Sequence, residues 1–239
     1  MFSVALVGGD GSGKTTLATK LKETCPLPLK YLYMGLSTLK SEPALPTTYL
    51  IRYLKIRSYK KKFGKLGDGV SVNSGVFQDY YYYNPAKRGR IWHLASNLNT
   101  LADVAYRQAI SLIHQKRGFV VIYDRHFLFM NVPLTDDPRL RRQPWTHHWL
   151  HWAFNCFFPK PHIVFFLDAP CEVLYERKKE VSIENLEQQR EMILTQEEKI
   201  PHFVWIDATQ PVDEILTDIT QHITALYRCR KHSTSTSAQ

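Results

Sequence analysis

The segment from Leu6 to Thr16, LVGGDGSGKTT, constrains this chain more than any other. Gly8-Gly9-Asp10-Gly11-Ser12-Gly13-Lys14-Thr15 satisfies the spacing G-x-x-x-x-G-K-[ST]. It follows an apolar run, Phe2 to Val7, and leads into a helical pattern starting near Lys14. Glycines let the backbone curl until successive N–H groups converge on one point, and the positive end of the following helix adds to the pull on an anion there. The expected ligand is the phosphate chain of a nucleotide, with Lys14 reaching the β- and γ-phosphates and the Thr15 hydroxyl binding magnesium. Gly8, Asp10, Gly11, Ser12, Gly13, Lys14, Thr15 and Thr16 are the candidate binding residues.

A strand, a phosphate loop and a helix in succession belong in a parallel sheet. Five apolar runs have strand length: Phe2 to Val7, Leu29 to Met34, Phe119 to Tyr123, Ile163 to Leu167 and Phe203 to Ile206. Most are nearly continuous, the pattern of strands buried on both faces. Between them, Ile91, Leu94, Leu98, Leu101, Ala105 and Leu112 share one face of a long helix that Gly118 can end. After Pro211, Val212, Ile215, Leu216, Ile219, Ile223 and Leu226 repeat the pattern. The alternation predicts a doubly wound α/β sheet.

At 239 residues, 44% of them hydrophobic, the chain has enough material for one sizeable core. We expect one domain over 1–231, with insertions at about 35–90 and 128–160 around the site and a disordered Ser/Thr-rich tail over 232–239. No apolar run approaches the roughly 20 residues that cross a bilayer, and no leader fits before the first strand, so a cytoplasmic location is expected. Cys25, Cys156, Cys171 and Cys229 form no C-x-x-C pair and are expected to be ordinary thiols. The formal net charge of +9 favours an anionic partner.

Many nucleotide-binding proteins use such a loop, so other segments must decide the chemistry. No Asn-Lys-x-Asp element is present to read guanine. The run VVIYDRH brings Asp124 and Arg125 to the carboxyl end of the third strand, where ligands bind in these sheets. A carboxylate there can orient a metal-bound water or accept a proton, and a guanidinium can hold two phosphate oxygens. A strand-end salt bridge is the alternative reading of the same pair.

Together GGDGSGKTT, VVIYDRH, FFLDAP and WIDATQPVDEI resemble the thymidylate kinase family of P-loop nucleoside monophosphate kinases, in that family's order and approximate spacing. The resemblance implies a three-layer P-loop kinase fold with a five-stranded parallel sheet, ATP and Mg²⁺ as cofactors, and phosphoryl transfer to a nucleotide-like acceptor. It implies Asp10 near the acceptor, Asp124 at the metal, Arg125 as a phosphate clamp, and a lid at about 175–198 in which Arg177 and Arg190, with Lys178 and Lys179, face the transferring group. Asp207 and Thr209 would lie beside the adenine.

The chain departs from that pattern on the acceptor side. Val7 stands where the family has an acidic residue, YMGLSTLKSEPALP replaces its Arg-Glu-Pro-Gly-Gly-Thr loop, and Asp103 occupies the place of an acceptor-binding arginine, with Arg107 one turn later. A nucleoside, a sugar or another non-nucleotide acceptor therefore stands beside thymidylate, as does a non-catalytic ATP-binding module that engages an anionic partner.

Three further patterns carry competing readings. His147 and His151 have metal-ligand spacing, but Trp145, Trp149, Trp152 and Cys156 around them suit an aromatic packing or homodimer surface. The run Tyr80 to Tyr83 suits base stacking or an edge strand. Arg52, Lys55, Arg57, Lys60, Lys61, Lys62 and Lys65, interleaved with Leu50, Ile51, Leu54 and Ile56, suit a solvated basic face, an amphipathic helix over 50–66 on a membrane surface or polyanion, or the grip on a large phosphorylated acceptor.

Overall fold

The computed structural model describes residues 1–35, 43–63, 90–129, 145–179 and 181–236. Within them β1 (Ser3–Gly8), β2 (Leu29–Tyr33), β3 (Val120–Asp124), β4 (Ile163–Asp168) and β5 (Phe203–Asp207) form one sheet in the order β2-β3-β1-β4-β5. Every neighbouring pair is parallel. The described helices are α1 (Lys14–Thr24), α2 (Pro46–Phe63), α3 (Arg90–Lys116), α4 (Trp145–Phe157), α5 (Cys171–Arg177), α6 (Ile183–Leu194) and α7 (Val212–Thr236). This is the expected three-layer α/β fold, and each strand lies within two residues of its apolar run.

The strands read as continuous apolar runs because helices cover both faces of the sheet. On one face Val4, Leu6, Ile122 and Phe165 pack with Leu17 and Leu21 of α1 and Ile215, Ile219 and Ile223 of α7. On the other, Val7, Val121, Tyr123 and Phe166 pack with Val104 of α3, Leu150 and Phe154 of α4, and Ile193 of α6. No described cysteine forms a disulfide. No described helix is long and apolar enough to cross a membrane.

Helix α3 ends where the sequence indicates. Gly118 at φ +90° accommodates the left-handed turn, its N–H donates to the Gln115 carbonyl at 3.1 Å, and Phe119 N–H donates to the His114 carbonyl at 3.1 Å, the two bonds of a Schellman cap. The face it buries is not the expected one. Ile91 is 84% exposed, and Leu94, Leu98, Ala105 and Leu112 also face solvent. Inward instead point Asn97, Asp103, Val104, Arg107, Gln108, Ser111 and Gln115. The reason is hydrogen bonding. The chain leaving β2 and the start of α2 run beneath α3, and their backbone groups need partners out of water.

Asp103 and Arg107 supply those partners. Asp103 Oδ1 accepts the Leu45 N–H at 2.8 Å and the Thr48 hydroxyl at 3.0 Å, which places a carboxylate at the positive end of α2. Arg107, 1% exposed, pairs with Asp103 Oδ2 at 3.1 Å and donates from Nη1 to the carbonyls of Tyr33 and Gly35, each at 2.9 Å.

Two other regions differ from expectation or extend it. Helix α7 runs on through Thr236, since Ser and Thr cost an established helix only tenths of a kcal/mol each; residues 237–239 lie outside the described residues. Most of the basic stretch falls on α2, where Tyr49, Leu50, Tyr53 and Leu54 are exposed. Lys65, the run Tyr80 to Tyr83, and Lys87 and Arg88 lie outside the described residues, as do the side chains of Trp145, His147 and His151. Of the aromatic stripe on α4, Trp149 packs against the core whereas Trp152 and Cys156 are exposed.

Removing one member of a buried ion pair leaves the other charge unpaired. Asp103→Ala is therefore expected to cost about 3–5 kcal/mol in chemical denaturation, and Asp103→Leu combined with Arg107→Met to recover about half of that loss. Equal loss in the single and double variants would show that the charges are not coupled.

Candidate nucleotide-binding site

Strand pairing assembles the site. In the β1–β3 ladder Leu6 lies opposite Asp124, so the phosphate loop and the acidic end of β3 emerge at the same sheet edge. Thr15, in the first turn of α1, donates its hydroxyl to Asp124 Oδ2 at 2.9 Å. Tyr31 on β2 donates to that same oxygen at 2.8 Å. Asp124 is 1% exposed, and its buried Oδ1 has no hydrogen-bond partner among the described residues.

The loop has the expected backbone. Gly11, at φ +93°, passes so close to α5 that a Cβ there would sit 2.6 Å from the Leu174 carbonyl oxygen. Gly13, at φ +82°, precedes α1 with open space where a Cβ would stand. No side chain caps this helix and no acid lies in its first turn, which leaves an electropositive terminus suited to an anion. Lys14 folds back over the loop, donating to the Gly9 carbonyl at 2.6 Å and to Ser12 Oγ at 3.2 Å. Burial brings its ammonium down to about 8, Arg125 acts in the same direction, and Asp10 and Asp124 oppose them.

Arg125 is the one described non-glycine residue with positive φ, at 64°. That conformation costs an arginine of order 1 kcal/mol and turns its side chain back across the loop. There Arg125 Nη2 donates to Asp10 Oδ1 at 2.7 Å. Burial pushes the Asp10 carboxyl up, but Arg125, Lys14 and Lys178 outweigh it and hold the group below its ordinary value. The strand-end salt bridge and the clamp position are thus the same arrangement, since a phosphate can take Asp10's place on a guanidinium already held at the loop.

The segment expected to be a lid takes in the end of α5 and all of α6. Leu186 of α6 and Leu174 of α5 close over Gly9, and Gln189 accepts the Asp10 N–H at 3.4 Å. Its arginines are not together. Arg177 donates to the Ala208 carbonyl at 2.8 Å, beside Asp207 and Thr209, which are exposed and bonded to each other. Arg190 makes a two-pronged pair with Asp168 at 2.8 Å per bond. It lines a cavity of about 820 Å³ with Glu172, Glu187, Glu191 and Trp205, and no phosphate-loop residue borders that cavity. In this arrangement Arg190 serves the end of β4.

The residues present fit a magnesium nucleotide. Mg²⁺ is bound through few protein oxygens together with phosphates and water. Thr15 offers one oxygen whose proton already points to Asp124, and the unpartnered Asp124 Oδ1 offers an acceptor in its neighbourhood. The described residues contain no cluster of three His, Cys, Asp or Glu side chains, and an ion shared with phosphates needs none. Sequence reasoning missed Tyr31; its one signal is a hydroxyl on the strand next to β3, a signal that Tyr33 shares. No family model matches the chain, and no curated protein matches it.

A buried lysine whose ordinary value is 10.5 and whose folded value is about 8 destabilises the fold while it stays charged. That penalty is full below pH 8 and fades as pH rises toward 10.5. Lys14→Met is therefore expected to be more stable than the wild type at pH 7, by about 1–3 kcal/mol, with the gap narrowing by pH 10. A variant less stable at every pH would contradict this electrostatic account.

Proposed function

We propose that the chain is an ATP-dependent phosphotransferase of the thymidylate kinase type, acting on a deoxynucleoside or nucleoside monophosphate. The observation that carries this reading is the convergence of Thr15, Asp124, Lys14 and the Asp10–Arg125 pair at one sheet edge. Bound Mg²⁺·ATP supplies the phosphoryl group and much of the charge neutralisation during its transfer. Lys14 exchanges the Gly9 carbonyl for phosphate oxygens, and an anion there restores its proton affinity. Asp124 accepts the Thr15 hydroxyl's hydrogen bond and so leaves that oxygen's lone pairs available. Arg125, which Asp10 holds at the loop until an anion replaces it, binds the acceptor or the transferred phosphate. Arg177, tied to the Ala208 carbonyl, borders the adenine. Arg190 reaches the transferring group only if its pair with Asp168 opens.

A second reading keeps the donor chemistry and changes the acceptor to a nucleoside, sugar or other non-nucleotide molecule. It is favoured by Arg107, whose donors are engaged by Asp103 and two backbone carbonyls, so an acceptor phosphate would have to break a buried pair to reach it.

Transfer from γ-labelled ATP across thymidylate, other nucleoside monophosphates, nucleosides and hexoses distinguishes the readings. Lys14→Ala is expected to lower transfer by about 100-fold or more for the true acceptor. Turnover selective for a monophosphate supports the first reading, and turnover of a non-nucleotide alone supports the second. ATP binding with no acceptor-dependent transfer would contradict both and favour a non-catalytic module.

A further inference from the structure

Tyr31 has no part in the chemistry above, yet its hydroxyl lies within the site. It stands half-buried on β2, and its donation to Asp124 Oδ2 at 2.8 Å joins that of Thr15 at 2.9 Å. Two O–H donors from separate elements converge on one oxygen, while the other, Oδ1, is buried without a partner among the described residues. The terminal torsion of an aspartate is broad and roughly two-fold, so a carboxylate held by Thr15 alone can turn and exchange its oxygens. A second donor anchored on the neighbouring strand β2 opposes that rotation, because turning then breaks two charge-assisted bonds in a poorly hydrated site. Burial first, and then the negative charge of Asp124, push the phenol above its ordinary value, so the hydroxyl stays a donor.

We propose that Tyr31 is a positioning residue for metal binding: it fixes Asp124 so that Oδ2 accepts the Thr15 hydrogen bond and Oδ1 is kept for the hydration shell of the magnesium ion. The inference rests on the Mg²⁺·ATP reading of the site. Tyr31→Phe deletes one oxygen and keeps the ring, and loss of such an outer partner typically weakens metal affinity by about 10–100-fold.

The test is calorimetric binding of ATP to the purified full chain, first with EDTA and then across a Mg²⁺ titration, with the melting temperature of each variant recorded. Tyr31→Phe is expected to bind metal-free ATP like the wild type, since Lys14 and the loop amides are untouched, but to need about tenfold more Mg²⁺ at the midpoint. A purely structural role predicts something else, a lower melting temperature with metal-free and metal-bound affinities falling together, and that result overturns the inference. Coincident Mg²⁺ midpoints also overturn it while leaving the Mg²⁺·ATP reading intact. If wild type and Lys14→Ala alike bind no ATP, both fall.

Discussion

Thr15 and Asp124 are separated by 109 positions in the chain, yet the hydroxyl of one donates to the carboxylate of the other at 2.9 Å. Nothing local brings them together. The contact requires β1 and β3 to pair in parallel with Leu6 opposite Asp124, and it requires α1 to begin at Lys14, immediately after the glycine turn. A one-residue slip of β3 would turn Asp124 to the other face of the sheet and put Tyr123 in its place. The apolar packing of Val4, Leu6 and Ile122 against α1 fixes the register, so the core sets the geometry of the polar site.

The site is held in a costly state. Lys14 is charged and buried, Arg125 has a left-handed backbone, and Asp124 Oδ1 lacks a partner among the described residues. Each feature destabilises the fold, and the first and third are costs that an anion with its cation at the loop would offset. Features of this kind gather where a structure has been shaped for binding rather than for stability alone. Beneath α3 the opposite holds: Asp103 and Arg107 satisfy one another and the backbone of Tyr33, Gly35 and Leu45. A family-like acceptor pocket would need that arginine for itself.

The sheet was legible in the sequence because strands covered on both faces must be apolar at nearly every position, which leaves little room for another reading. The glycine turn was legible because glycines between an apolar strand and a helix mark a loop that needs positive φ, which Gly11 and Gly13 adopt. Helix α3 was misread for a physical reason. Periodicity identifies a face but not its direction, and the inward face is polar because backbone groups beneath it need partners, a demand visible only once α2 is docked. Arg190 was assigned by resemblance to the phosphates, whereas Asp168 at the end of β4 engages it, a pairing across 22 residues that no local pattern announces. Tyr31 escaped notice because its partner, Asp124, lies 93 positions away in sequence but on the neighbouring strand of the sheet.

The central claim, that the glycine loop and the end of β3 enclose one divalent ion together with a nucleotide, is most directly tested with Mn²⁺ in place of Mg²⁺. Pulsed electron paramagnetic resonance of the chain with Mn²⁺ and ATP should give ³¹P couplings from directly coordinated phosphate, in a complex whose Mn²⁺ affinity drops in Thr15→Val. A chain that forms no such complex, or a signal indifferent to Thr15, would contradict the account.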